Sequence, residues 1–178
     1  EGAKVAIADI APADDLVAEV EQAGGTAMFL ETDVTDETAV SSLAVQTIDA
    51  FGRIDILVNN AGVADFGRLE ETDFTRWRKV METNLDGVFL CAHAALDALK
   101  ITRGSMVNIA SISGLRASTL RVAYGTSKAG VIQLTQQFAV EMGEFGIRVN
   151  CVAPGPVRTK LAMAVHSQDI IDAYHDAI

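Results

Sequence analysis

Tyr124 and Lys128 stand four residues apart in Tyr124-Gly125-Thr126-Ser127-Lys128, so on a helix they share one face. A phenol titrates near pH 10 in water, at about the value that makes it a poor base under neutral conditions. A lysine cation held beside a phenol favours the phenolate. Ser111 closes Asn108-Ile109-Ala110-Ser111, at the end of an apolar run that reads as a strand. A hydroxyl there can hold a substrate oxygen while Tyr124 moves the proton. Many helices carry a tyrosine and a lysine at this spacing as a plain surface pair. Joined to Ser111, the pair suits an alcohol/carbonyl interconversion in which the carbon-bound hydrogen leaves as hydride to a nicotinamide.

The elements around these residues alternate between two patterns. Lys4-Val5-Ala6-Ile7-Ala8-Asp9 is a short apolar run ending in an acid, and reads as a buried parallel strand. Leu16, Val17 and Val20 give helical spacing over 14–23, which Gly24-Gly25 stops. Thr26 to Leu30 is a second strand. Thr35 or Asp36 caps a helix that runs to Phe51 and is closed by Gly52. Ile54 to Asn59 is a third strand, and one long helix is expected from Thr72 or Asp73 to about Lys100. Ser105 to Ile109 is a fourth strand. The Tyr124 helix runs to about Phe145, and Arg148 to Val152 is a fifth strand, stopped by Pro154-Gly155-Pro156. Residues 159–178 are mildly helical. Strands alternating with helices predict an α/β fold with a parallel sheet, in one domain over 1–178. Ligands of such sheets bind outside the carboxyl ends of the strands. The strand ends here carry Asp9, Asp33, Asn60, Ser111 and Pro154.

Bulk properties exclude several classes. The formal charge of −10 argues against nucleic acid or an anionic membrane as partner. No apolar run is long enough to span a bilayer, and no signal peptide is visible. Cys91 and Cys151 lie in apolar contexts and read as buried thiols in a reducing, cytoplasmic compartment. His93, His166 and His175 fall in unrelated segments with no metal-ligand spacing, so no metal is expected.

With these residues together, the sequence closely resembles the short-chain dehydrogenase/reductase family. The matching residues are Asn59-Asn60-Ala61-Gly62, Asn84 in Thr83-Asn84-Leu85, Ser111, Tyr124 with Lys128, and Pro154-Gly155 followed by Thr159. Ser111 precedes Tyr124 by thirteen positions, the usual gap in that family. The resemblance implies a Rossmann-like, doubly wound, three-layer fold. It implies Tyr124 as general acid/base and Lys128 as its electrostatic partner and ribose ligand. Ser111 would hold the substrate oxygen, and Asn84 a water that relays protons to Lys128. Asp9 would accept hydrogen bonds from the adenosine ribose and repel a 2′-phosphate, which favours NAD over NADP. Asp33 and Val34 would flank the adenine. Asn60, Ala61 and Gly62 would let the backbone approach the cofactor, with Asn60 also tethering neighbouring strands. Val157 and Thr159, after Pro154-Gly155, would hold the nicotinamide carboxamide.

The implied substrate is a polyol, a sugar or a small secondary alcohol or its ketone. Asp65, Ser113, Arg116 and His166 are candidate polar contacts, and Phe66, Leu115, Leu161 and Met163 apolar ones. The alternatives are a 3-oxoacyl thioester reductase and a non-catalytic nucleotide-sensing or scaffolding relative. The two long helices carry apolar residues on more than one face: Val88, Ala92, Ala95 and Leu96, and Ala129, Ile132, Leu134 and Ala139. The resemblance implies that these helices pair across a two-fold axis in a homodimer or homotetramer. The family's opening strand and glycine-rich turn have no counterpart here, so the chain reads as an internal fragment of a longer enzyme. On that reading the strands ending at Asp9 and Asn59 lack a shared neighbour, and the fragment alone is expected to fold marginally and bind NAD poorly.

Overall fold

The strand–helix alternation is realised along the whole described chain. The computed structural model describes residues 2–155 and 157. Strand β1 (Lys4–Asp9) leads to α1 (Asp14–Gln22), β2 (Thr26–Glu31), α2 (Glu37–Phe51) and β3 (Ile56–Asn59). The path continues through α3 (Phe74–Met81), a π-helical turn (Glu82–Asp86) and α4 (Gly87–Thr102). Then come β4 (Ser105–Ile109), α5 (Val122–Met142) and β5 (Arg148–Val152). Every strand pair is parallel, as helical crossovers require. The tail at 159–178 lies outside the described residues.

The strands form two sheets, β1–β2 and β3–β4–β5. No ladder joins β1 to β3 among the described residues, so each keeps one unpaired edge, as expected for strands without a shared neighbour.

Local chemistry sets the element ends. The Asp36 carboxylate accepts the Thr38 and Ala39 N–H groups and starts α2, and Gly52, at φ 83°, ends it in the left-handed conformation. Asp73 caps α3 by accepting from Arg76 N. The main core lies between α4, α5 and one face of the three-stranded sheet. It comprises Ala92, Ala95, Leu99, Met106, Phe138, Met142, Ile147 and Val149. Fully burying a side chain the size of Leu99 or Met106 contributes about 1.5–3 kcal/mol. The opposite face shows Ile56, Val58 and Val152, each half exposed or more. Burial pushes the Cys91 thiol up to about 11, which keeps it protonated and inert near neutral pH.

Two sequence expectations change here. The long helix is interrupted: at Glu82–Asp86 it widens into a π turn, with Gly87 N–H bonded to Glu82 O. Val88, Ala92 and Ala95, expected on a second apolar face of the helix, are buried in the chain's own core.

Candidate active site

The site is assembled where β3, β4 and β5 end and α5 begins. Ser111 follows β4 and caps a short 3-10 turn (Ile112–Gly114). Its Oγ accepts the Ser113 N–H at 3.2 Å, which leaves its own O–H to donate. This turn lies directly on α5. A Cβ at Gly114 would fall 2.6 Å from Lys128 C and 2.7 Å from Ala129 N, so only glycine permits the contact. Ser111 is thereby drawn against the turn of α5 that carries Lys128.

Lys128 is buried, and its Nζ donates to Ile109 O at 2.7 Å. Burial pushes the ammonium down to about 8. Its Nζ lies 5.9 Å from the centre of the Tyr124 ring. Among the described residues no hydrogen bond engages the Tyr124 hydroxyl, and the ring itself is half-buried, edge-on to Phe66 at 5.6 Å. Packing against Phe66 therefore holds the Tyr124 ring.

Asn84 sits in the π turn, fully buried. Its Oδ1 accepts Val63 N–H at 2.8 Å, and its Nδ2 donates to Val63 O at 2.9 Å and Ser127 Oγ at 3.1 Å. Both amide hydrogens are thus spent on protein. The side chain locks the segment after Gly62 to α5. A Cβ on Gly62 would lie 3.3 Å from Asn84 Oδ1 and 3.5 Å from Lys128 Nζ. The missing side chain keeps an open cradle beside the ammonium.

The expected tether at Asn60 is corrected. Asn60 is exposed beyond the end of β3. Its neighbour Asn59 is buried and donates to Asn108 Oδ1 at 2.8 Å, in register across β3 and β4. Asn108 in turn donates to Thr135 Oγ1 of α5 at 2.9 Å. One residue along a strand reverses the face, so only Asn59 points at α5. Sequence reasoning missed Asn108 and Thr135; the signal was the pair of asparagines ending two strands that must be neighbours.

The remaining candidates line the same strand ends. Asp9 ends β1, and its Oδ1 accepts Ala11 N–H at 2.9 Å. Asp33 turns the chain after β2, accepting Thr35 N–H at 2.9 Å and Thr35 Oγ–H at 2.8 Å. Val34 packs beside Gly87, where a Cβ would meet its Cγ2 at 2.8 Å. Ala61 and Gly62 are exposed after β3. Pro154 O accepts Ile112 N–H at 2.9 Å, joining the loops after β4 and β5, while Gly155 and Val157 are exposed. Thr159, Leu161, Met163 and His166 lie outside the described residues. Asp65 is not available to a polyol. It is held by the Arg76 guanidinium through two nitrogens, a pairing that lowers its carboxyl below the usual carboxylate range.

A nicotinamide dinucleotide fits these residues. An ammonium has three N–H groups, and Lys128 gives one to Ile109 O, which leaves two for a diol. The side-chainless rim at Gly62 gives that diol room.

Comparison with known proteins gives the family. A family model described as enoyl-(acyl carrier protein) reductase matches residues 1–178. The trans-4-hydroxycyclohexanecarboxylate dehydrogenase of Sinomonas cyclohexanicum is 40% identical over 168 residues, covering 90% of this chain and 65% of that protein. The meso-2,3-butanediol dehydrogenase of Serratia marcescens is 37% identical over 180 residues, covering 100% of this chain and 70% of that protein. The crystal structure of levodione reductase superposes with a TM-score of 0.87 at 33% identity, over 92% of this chain and 66% of that one. The parallel strands with helical crossovers define a protein of the α/β class. The chain belongs to the short-chain dehydrogenase/reductase family. It spans about two thirds of the length of these relatives. Dehydrogenases of this family use NAD(P).

Proposed function

We propose that the whole protein is an NAD-dependent oxidoreductase that interconverts a small secondary alcohol and its ketone. One observation carries the reading: a Tyr124 hydroxyl without a hydrogen-bond partner among the described residues stands with buried Lys128 and buried Ser111 at the strand ends. In oxidation Ser111 donates to the substrate oxygen while Tyr124 takes the hydroxyl proton as the carbonyl forms. In reduction Tyr124 returns the proton. Lys128 and the backbone at Asn60, Ala61 and Gly62 hold the cofactor, and Asn84 positions that backbone against α5. Asp33 and Val34 flank the adenine, and Pro154, Gly155, Val157 and Thr159 border the nicotinamide. Bound NAD supplies the acceptor for the hydride that leaves the carbinol carbon.

The substrate panel that tests this contains butane-2,3-diol, cyclohexanol, 4-hydroxycyclohexanecarboxylate and simple polyols, each offered with NAD and followed by the absorbance of the reduced nicotinamide. Turnover of a secondary alcohol is expected. Silence across the panel and the matching ketones, together with tight NAD binding, points instead to a nucleotide-sensing relative.

NAD is favoured over NADP because Asp9 ends β1 as an exposed carboxylate, followed by Ile10, which brings no positive charge. Asp9→Ala is expected to shift the NADP-to-NAD ratio of kcat/KM toward NADP by about 10- to 100-fold, since it removes both a ribose acceptor and a like-charge repulsion. An unchanged ratio would remove Asp9 from cofactor selection.

The assembly we infer is a homodimer or homotetramer. A groove of about 770 Å³ runs between α4 and α5, lined by Leu85, Phe89, Gly130, Gln133 and Leu134. A second copy of these helices would fill it. Light scattering of the whole protein should give at least twice the chain mass; a monomer at micromolar concentration contradicts the pairing.

A further inference from the structure

Ser127 is fully buried, and the proton transfer proposed for the site does not use it. It stands between Tyr124 and Lys128 in the first turns of α5. Its Oγ–H donates to Tyr124 O at 2.8 Å, and its Oγ accepts from Asn84 Nδ2 at 3.1 Å. Chemistry fixes these directions. Val63 N–H meets Asn84 Oδ1 and Val63 O meets Nδ2, which settles the orientation of the amide. An amide nitrogen cannot accept, so the single hydroxyl proton of Ser127 goes to Tyr124 O. One chain of hydrogen bonds therefore runs from the peptide of Val63 through Asn84 and Ser127 to the peptide of Tyr124.

The two ends of this chain are the two parts of the site whose spacing matters. Val63 follows Gly62, whose missing side chain opens the rim beside Lys128 Nζ. Tyr124 carries the proposed acid/base. Regular helical pairing gives Tyr124 O to the N–H of Lys128, and Ser127 brings a second donor to that oxygen. A hydroxyl bonded back along its own helix in this way bends it. Here the hydroxyl is held from outside by Asn84, which is anchored in the π turn. Without that hydroxyl, one Asn84 N–H is left in a buried space with no acceptor, a cost that a shift of the amide or of the α5 turn would relieve.

We propose that Ser127 is a positioning residue whose hydroxyl sets the separation between Tyr124 and the cofactor rim at Gly62 and Val63. The proposal rests on Tyr124 being the acid/base and on that rim facing the nicotinamide dinucleotide. Hydride transfer needs its partners in near contact, so a displacement of about 1 Å costs rate more than affinity.

The test uses the whole protein with NAD and two variants, Ser127→Ala and Ser127→Cys. Alanine removes the hydroxyl; cysteine keeps a weak donor and acceptor at the same place. Two readouts are taken. One is kcat and KM for the secondary alcohol that turns over fastest. The other is amide hydrogen exchange over 60–66, with 105–109 in β4 as the reference. In Ser127→Ala, kcat is expected to fall by about 10- to 100-fold while KM for the alcohol stays within about threefold of wild type. Exchange over 60–66 should quicken by about tenfold, because Val63 N–H loses a fixed acceptor, and exchange over 105–109 should not change. Ser127→Cys should fall between alanine and wild type in both readouts. If Ser127→Ala does not fold, Ser127→Cys decides alone, with kcat lower by about 3- to 10-fold and the same selective quickening. A kcat within about twofold of wild type, a rise in KM in its place, or unchanged exchange over 60–66 overturns the proposal. Equal quickening over 105–109 overturns it too, since it marks general loosening of the fold. A wild type that oxidises no alcohol, with variants that show the selective quickening, supports the positioning role and contradicts the oxidoreductase reading, so the two failures are distinguishable.

Discussion

Tyr124→Phe is expected to lower turnover of the best secondary alcohol by about 10²–10⁴-fold, the range supplied by a positioned general acid/base. The substitution removes one oxygen and little else. The ring keeps its edge-on contact with Phe66 and its place in the first turns of α5. The hydroxyl has no hydrogen-bond partner among the described residues, so no buried protein group is orphaned by its loss. Stability should therefore stay within about 0.5 kcal/mol of wild type, as for a substitution that breaks no contact. KM for NAD should change little, because the cofactor loses at most one hydrogen bond. Steady-state kinetics beside a urea melt read all three quantities. A variant that keeps more than a tenth of the wild-type rate would remove Tyr124 from the proton transfer.

Lys128→Met should separate activity from stability. Activity is expected to fall by about 10²–10⁴-fold, because on the proposed function the substitution removes the cation beside Tyr124 and the ribose donor together. Stability follows a different course. The folded state holds the ammonium at about 8, against an ordinary lysine value of 10.5. Below pH 8 both states carry the proton, and the folded state bears the full cost of burying the charge. Between those values the unfolded chain binds more protons than the folded one, so wild-type stability gains as pH rises. Above both values the cost is gone. The gain is on the order of 3 kcal/mol across that window. Methionine has no such titration. Against Lys128→Met, the wild type should therefore improve by about 3 kcal/mol between pH 7 and pH 10. At pH 7 the loss of the bond to Ile109 O offsets part of the variant's relief, by about 1–3 kcal/mol. Urea melts of both proteins without cofactor across this range check it. Parallel stability curves would mean that Lys128 is solvated.

The chemistry was more legible in the sequence than its supports. That Tyr124 and Lys128 share one helix and Ser111 follows a strand is legible because their spacing follows from helix and strand geometry, which the apolar pattern announces. The strand boundaries at Asp9, Asn59 and Ile109 were legible for the same reason: a buried parallel strand is a short apolar run that ends abruptly. What escaped depends on contacts between distant segments. The π turn at Glu82–Asp86 breaks no hydrophobic period strongly enough to be seen, yet it seats Asn84 between Val63 and Ser127. The tether was placed one residue late, at Asn60, because adjacent asparagines differ only in which face of the sheet they take. Asp65 looked like a polyol ligand until Arg76, eleven residues further on, claimed it.

The most direct test of the central claim follows an isotope. A secondary alcohol deuterated at its carbinol carbon is offered to the whole protein with NAD, and the reduced cofactor is examined by mass spectrometry. Deuterium in the reduced nicotinamide, with the matching ketone formed in equal amount, is the result predicted for hydride transfer assisted by Tyr124. Reduced cofactor without the label, or ketone without reduced cofactor, would contradict it.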